Sequence, residues 1–322
     1  MNAEETISGK EKLWNGILEM AQQMGFAACG CARAVPLSGS LEEQQYMQAH
    51  EKGHFGRMEY LRRNIDKRMD PALLLPGAKS VIVFLAPFSG GGPCISSDGL
   101  RISEYALGED YHKVIKDKLF RIASFIEDSI KTKKSCRVFT DSAPVMERAW
   151  AVRAGLGFIG KNNFLISPQA GIKNFIGTVI TVAELPYADK TVPNGCGQCS
   201  RCLDACTGKA LYSPYSINAS KCMSYKTIEA PLEDADNERT TYDPPVSYSY
   251  KWIFGCDDCM NACPWNRFNK PGWKEFSVNC KVLEGFSAKG WMDMAEEDFN
   301  EKFGNSPLLR AGLKKIRQNI LR

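Results

Sequence analysis

The chain has 322 residues, 44% hydrophobic and 24% charged, with a formal net charge of +4 at pH 7. That is enough apolar material for a real core, in one large domain and one small one. No apolar run approaches the roughly 18 residues of a membrane-spanning helix, the longest being Val81–Ala86 and Phe175–Ala183, and the mild positive charge permits an anionic partner without demanding one.

Leu13, Ile17, Leu18, Ala21 and Met24 recur at helical spacing, and Gly25 stands where a helix C-cap glycine belongs. Phe26–Cys31 reads as a short strand. Ser80–Pro87 is β-branched and continuous, the pattern of a strand buried on both faces. After the Gly/Ser/Pro-rich stretch Ser89–Asp98, the residues Tyr111, Ile115, Leu119, Ile122, Ile126 and Ile130 mark a long amphipathic helix. Cys136–Phe139 is expected to be a strand that delivers Thr140 and Asp141 to its C-terminal end. Pro144 suits the first turn of a helix running to about Arg153, and Phe175–Leu185 is another strand. This alternation predicts an α/β (α+β) domain over residues 1–190. A cysteine-rich domain over 191–270 follows, with short helices between cysteines and an acidic loop at Glu229–Glu238. A helical tail over 271–322 is expected to pack back onto the body.

The chain has 13 cysteines, and eight of them form a pattern. Cys196, Cys199, Cys202 and Cys206 are spaced C-x2-C-x2-C-x3-C. Cys256, Cys259 and Cys263, followed by Pro264, supply positions two to four of a second such run. In a bacterial two-cluster ferredoxin the fourth cysteine of each run ligates the other cluster. Position one of the second run falls on Ile253, and Cys222 is the free cysteine between the two groups. The spacing therefore assigns Cys196, Cys199, Cys202 and Cys263 to one [4Fe–4S] cluster, and Cys206, Cys222, Cys256 and Cys259 to the other. Disulfides need an oxidising compartment, and Met1–Lys12 is polar with no signal-peptide core, so a reducing cytoplasm is expected. Zinc is the competing ligand, but four thiols within eleven residues suit a cluster better than a zinc ribbon. Cys29, Cys31, Cys94, Cys136 and Cys280 have no partner pattern and read as small hydrophobes.

Three motifs are misleading. Gly155-Leu-Gly157-Phe-Ile-Gly160 matches GxGxxG, but it follows a helical stretch where a dinucleotide loop must follow a strand. Gly155 to Lys161 nearly spells a Walker A loop, but its last position is Asn162 and lacks the hydroxyl that holds magnesium. Asp110-Tyr-His112 begins like the D-x-H-x-x-G signature of cobalamin mutases, yet the glycine position is Ile115, so His112 reads as structural. The densest basic segment is Arg310 through Arg322, with Lys314, Lys315 and Arg317; a solvated helix face is the plainer reading, and contact with RNA the alternative.

Several blocks taken together resemble the epoxyqueuosine reductase family. They are Lys67–Ser80, Tyr105-Ala-Leu-Gly108-Glu-Asp110-Tyr-His112, Asp141-Ser-Ala-Pro144-Val-Met-Glu147-Arg148, Arg153 to Asn162, the eight cysteines, and Cys222 to Glu229. The resemblance runs from about Gly25 to Asn269. It implies a cobalamin-binding α/β domain joined to a two-cluster ferredoxin-like module, as in the related reductive dehalogenases. It also implies an oxidoreductase that removes the epoxide oxygen of epoxyqueuosine at the wobble position of the tRNA anticodon loop. Electrons would come from a flavodoxin or ferredoxin, in the cytoplasm and without a membrane. Many members continue into further C-terminal helical repeats, and this chain is expected to stop short of a full set. Phe158 stands where the family often has Trp.

The same resemblance makes Asp141 the proton donor and a cofactor contact. On position alone, an N-cap for the following helix is the plainer reading of Asp141, and a useful general acid calls for a raised pKa. Arg68, Tyr105, Ala106, Lys161, Asn162, Asn163 and Ser224 are the further cobalamin-contact candidates, Ser224 lying two residues beyond Cys222. Tyr225, Trp252 and Trp265 are expected in the core. Two other functions fit the cysteines alone: a plain ferredoxin-type electron-transfer module, and a dehalogenase-like reductase of a small molecule.

Overall fold

A computed structural model of the protein describes residues 3–90, 94–232, 251–276 and 287–321. Most of the expected acidic loop Glu229–Glu238, together with Cys280 and the middle of the Ser89–Asp98 stretch, lies outside these residues. At the centre is a four-stranded sheet in the order Ala28–Arg33, Ser80–Pro87, Asn174–Thr181, Cys136–Phe139. All three pairings are antiparallel. Helices cover both faces, as the alternation of elements predicts. Asp141 follows the edge strand Cys136–Phe139.

The strand Ser80–Pro87 is buried along its whole length. Its two-residue period splits the interior in two. Ile82, Phe84 and Ala86 pack with Ile17 and Ala21 of the helix Ala3–Gln23 and with Ile115, Leu119, Ile122 and Ile126 of the helix Tyr111–Ser129. Val81, Val83 and Leu85 face Leu37, Leu74 and Leu75, and Ala149 and Trp150 of the helix Glu147–Arg153. Each large aliphatic side chain so removed from water contributes roughly 1.5–3 kcal/mol. Gly177 on the neighbouring strand lets the long helix approach, since a Cβ there would stand 2.8 Å from Leu119 Cδ1.

A third core joins all parts of the chain. The strand Lys251–Phe254 pairs in parallel with Leu100–Ile102. Behind this pair Ile253 and Phe254 pack with Trp291, Phe299, Phe303, Leu308, Leu313, Ile316 and Ile320 of the tail. Buried Asn319 donates to the carbonyls of Thr227 at 2.9 Å and Ile253 at 2.8 Å, locking the tail to the cysteine-bearing region. The basic tail is correspondingly less available than its composition suggests. Lys315 is buried and donates to the Pro231 carbonyl at 3.3 Å, while Arg317 donates to the carbonyls of Trp291 and Met294.

A buried ionic knot ties the same regions together. Lys173 pairs with Glu104, both almost fully buried. The Glu104 backbone N–H donates to Asp257 Oδ2 at 2.7 Å, and the Ser103 hydroxyl donates to Asp257 Oδ1. The Gly155–Gly160 run builds a turn and hairpin, Phe158–Ile159 against Leu165–Ile166, immediately after the helix Glu147–Arg153. Gly157 is needed there because a Cβ would stand 2.2 Å from the Ile166 carbonyl oxygen.

Candidate active site and thiol centres

The eight patterned cysteines are free thiols in two neighbouring groups. Cys196, Cys199, Cys202 and Cys263 line a cavity of ≈ 160 Å³ together with Lys161 and Asn162. Lys161 Nζ donates to the carbonyls of Gly197 at 2.7 Å and Cys199 at 2.9 Å, so a side chain from the hairpin region staples the first cysteine loop. Cys206, Cys222 and Cys259 pack together beside Ala210 and Leu211. Burial pushes the Cys259 thiol up, and Cys222, Cys206 and Cys202 are the neighbouring thiols that add to it. Burial likewise raises Cys256, with Cys259 among its neighbours. Among the described residues no three His, Cys, Asp or Glu side chains converge as the ligands of one metal ion would. Thiols spread around a cavity fit a cluster several atoms across and do not fit a single zinc.

The departure at Ile253 has a packing reason. That residue is 1% exposed in the strand shared with Leu100–Ile102, so its side chain belongs to the third core. Cys222, at the start of the helix Met223–Ile228, lies with the thiols instead. Of the remaining cysteines, Cys31 is buried and Cys29 and Cys136 are partly so. Tyr225 and Trp252 are buried, as expected, and Trp265 packs edge-on against Phe158.

Asp141 sits where the edge strand Cys136–Phe139 ends, in the left-handed region with φ 55°. It does not cap the next helix. That helix begins at Glu147 with Met146 at the N-cap, which makes no side-chain cap bond. The Asp141 backbone N–H instead donates to Glu147 Oε1 at 2.9 Å. Its carboxylate accepts from the Tyr111 hydroxyl at 2.5 Å and lies 3.3 Å from His112 Nε2, both on the same Oδ2. His112 Nδ1 is held by Asp110 Oδ1 at 2.8 Å, and Asp110 in turn caps the helix Tyr111–Ser129 through the His112 N–H. The Tyr111 ring stacks between His112 and Phe175, at centroid distances of 4.1 and 4.2 Å. The Asp141 side chain remains 61% exposed.

The electrostatics differ from the expectation of a raised Asp141 pKa. Desolvation by the surrounding groups works to raise that carboxyl, but hydrogen bonds from His112 and Tyr111 and the His112 charge outweigh it, and the group stays below its ordinary value. Its neighbours move the other way. Burial opposes the His112 charge, yet hydrogen bonds to Asp110 and Asp141 push that imidazole up to about 9. Burial pushes Glu147 up to about 8, with the Asp141 charge adding to it. The protons are therefore stored around Asp141. Sequence reasoning missed His112, Tyr111 and Glu147 as site residues. The available signal was Asp110-Tyr-His112 at the start of a helix whose buried stripe begins at Tyr111.

The other candidates occupy varied places. Arg68 is buried, donates to the Tyr60 carbonyl at 3.0 Å, and has its Nε buried without a partner. Asn163, at φ 64°, has a buried Nδ2 that is also unpartnered. Asn162 is committed to the protein, its Nδ2 donating to the Cys259 carbonyl at 3.2 Å. Tyr105 packs edge-on against Tyr111, and burial pushes its phenol up. Ala106 is fully buried, and Ser224 lies in the first turn of the helix Met223–Ile228.

Comparison with known proteins agrees with this arrangement. A family model described as epoxyqueuosine reductase QueG, DUF1730, matches residues 68–142, and a 4Fe-4S double cluster binding domain matches residues 195–266. The epoxyqueuosine reductase of Cyclobacterium marinum is 38% identical over 316 residues, which are 98% of this chain and 97% of that protein. A crystal structure of epoxyqueuosine reductase with a tRNA-Tyr epoxyqueuosine-modified stem loop superposes with a TM-score of 0.79 at 27% identity, over 96% of this chain and 80% of that one. The Bacillus subtilis enzyme, in a structure described with its aspartate-bearing catalytic loop swung out of the active site, gives a TM-score of 0.78 at 26% identity, over 96% and 80% of the two chains. The present chain belongs to the epoxyqueuosine reductase family.

Proposed function

We propose that this protein reduces epoxyqueuosine at the wobble position of tRNA to queuosine, with Asp141 delivering the proton that lets the epoxide oxygen leave. Removing that oxygen to form an alkene consumes two electrons and two protons and releases one water. The observation that carries the reading is Asp141 itself: more than half exposed, held in left-handed backbone and 3.3 Å from His112 Nε2, in the same molecule as two groups of four thiols. A plain electron-transfer module has no use for the Asp110–His112–Asp141 arrangement.

The two thiol groups supply the donor set of two [4Fe–4S] clusters, with Cys196, Cys199, Cys202 and Cys263 as one set and Cys206, Cys222, Cys256 and Cys259 as the other. Cobalamin is the cofactor the family implies. The unpartnered donors Arg68 Nε and Asn163 Nδ2 fit a ligand rich in amide and hydroxyl acceptors. When bound, cobalamin supplies the cobalt chemistry that couples single electrons to carbon–oxygen cleavage. Electrons would enter from a flavodoxin or ferredoxin. Among the described residues no helix is long and apolar enough to cross a membrane, and a cytoplasmic location suits a tRNA substrate.

The protein's own part is proton handling. In the open cleft His112 is charged and Asp141 is a carboxylate. Substrate settling over the pair removes water, and loss of solvent disfavours the ion pair relative to neutral imidazole and carboxylic acid. The proton then moves from His112 Nε2 to Asp141 Oδ2 and on to the epoxide oxygen. Asp110 holds the imidazole in orientation, and the Tyr111 hydroxyl fixes Asp141 Oδ2. The test is anaerobic turnover of epoxyqueuosine-containing tRNA by protein reconstituted with iron, sulfide and cobalamin, reading loss of one oxygen from the nucleoside by mass spectrometry. A loaded, reduced protein that leaves the nucleoside unchanged would overturn this function; turnover of an organohalide but not of tRNA would replace it.

A further inference from the structure

One cation of the tail stands in a partly exposed ion pair. Arg310, at the end of the short helix Pro307–Arg310, pairs with Glu229 at 2.7 Å, and its side chain stays 53% exposed while that of Glu229 is 22% exposed. Its guanidinium stands 5.9 Å from the ring centroid of Tyr60, a tyrosine that is itself 47% exposed. These residues come from three distant segments: Tyr60 from the turn after the helix Leu41–Glu51, Glu229 from the end of the helix that starts at Cys222, and Arg310 from the tail. The tail segment that carries Arg310 is tied close to Asp141, since Ser306 donates to the Ala106 carbonyl at 3.0 Å and Asn305 accepts from the Asp110 N–H at 2.6 Å. The Tyr60 phenol feels the charges of Glu229, Arg310 and Asp141, and Arg310 and Asp141 each feel the other.

The chemistry of this corner is specific. A half-exposed guanidinium presents a planar fork of donors that matches a phosphate. An exposed tyrosine beside it offers a face on which an unstacked base can lie. Glu229 pairs with one nitrogen of the fork and leaves the rest of it facing outward. By contrast Lys315 and Arg317 spend their donors on backbone carbonyls inside the fold.

We propose that Arg310 and Tyr60 form a binding subsite for the RNA nucleotide flanking the modified one, Arg310 taking its phosphate and Tyr60 stacking on its base. The subsite deepens the tRNA reading of the preceding section and rests on it. It gives the tail a role in substrate capture through one side chain, where composition had pointed to the Lys314–Arg317 stretch.

The experiment measures binding of an anticodon stem-loop RNA, with and without epoxyqueuosine, to the loaded full-length protein across a salt series. Arg310→Gln should weaken binding about tenfold, the loss of one charged hydrogen-bonding contact. It should also lower the slope of log affinity against log salt by about 0.7–0.9. Tyr60→Ala should weaken binding with the slope unchanged, because a stack carries no counterion. Glu229→Gln is the decisive arm. It removes an anion from beside the phosphate, so binding should hold or tighten. If the Arg310–Glu229 pair is only a clip for the tail, Arg310→Gln and Glu229→Gln will weaken binding together and lower the melting temperature together, and the proposal falls. Should Arg310→Gln fail to keep its iron, the opposite signs expected for Tyr60→Ala and Glu229→Gln still decide it. Unmodified RNA separates the two levels of the argument. Arg310-dependent binding without deoxygenation by the wild-type protein would sink the assigned reaction and leave the subsite, whereas normal turnover with an unaltered salt slope in Arg310→Gln would do the reverse.

Discussion

The thiol region and the Asp141 cleft handle charge in opposite ways. The first thiol group lines a small cavity whose loops are braced by Lys161. The Asp141 cleft is open, and its charged side chains converge on a carboxylate that is more than half exposed. The potential of a cluster depends on hydrogen bonds, charge and solvent exposure, so the side chains that brace its loops help to set it. Protons must be replenished from water, so the acid site stays accessible until substrate covers it. One fold thus carries a braced set of cluster ligands and an exposed source of protons.

The sharpest way to break this contrast is Asp141→Asn. Both clusters and the bound corrin should survive, while product formation falls by roughly 10²–10⁴, the usual contribution of a positioned general acid. Near-normal turnover at full cofactor loading would remove Asp141 from the chemistry. The structure already excludes a helix-cap role, since the helix starts at Glu147 and its N-cap is Met146.

His112 sharpens the proton side. Its folded pKa is raised from 6.5 to about 9, so the interaction with Asp110 and Asp141 is fully present below 6.5 and is lost as pH rises through about 9. Turnover should fall across that alkaline window. Glu147 ionises just below it, at about 8, placing a second negative charge beside Asp141. His112→Gln should lower turnover by about 10–10² and abolish the alkaline limb near 9. A variant that keeps the wild-type pH profile would show that His112 is not the proton reserve.

Lys161 sharpens the thiol side. Its ammonium lines the first thiol cavity, so Lys161→Met should make the cluster there harder to reduce, by about tenfold in equilibrium, or about 59 mV for one electron. Lys161→Arg should keep the wild-type potential. Redox titration followed by EPR checks both, and equal potentials in all three proteins would remove the charge effect. The smallest expected change is in Cys222→Ala, where iron per chain should fall by about half while the Cys196 group keeps its cluster. Full iron content in that variant would overturn the second ligand set.

Much of the thiol region was legible because its information is local. Spacings of two and three residues place thiols on successive short turns whatever the rest of the fold does, and even the gap at Ile253 could be read from spacing. The long helix Tyr111–Ser129 and the strand Ser80–Pro87 were legible for the same reason, the one through its period of 3.6 and the other through its continuous β-branched run. The antiparallel order of the sheet was not, because strand direction depends on how distant segments pair. Nor was the role of Ile253, which only pairing with Leu100–Ile102 makes a core residue.

The sequence by itself determined the two groups of four cysteines, the main helices and strands, and Asp141 at the end of a strand. Tertiary structure decided what Asp141 touches and which basic residues remain outside. Tyr111 and His112 reach it across 30 positions of chain, Arg317 turns inward to backbone carbonyls, and Arg310 turns outward beside Tyr60. The physical reason is the range of the forces involved. Backbone spacing fixes neighbours within a turn or two, whereas the pairing, desolvation and pKa of a charged side chain depend on whichever distant segments packing brings within a few ångströms.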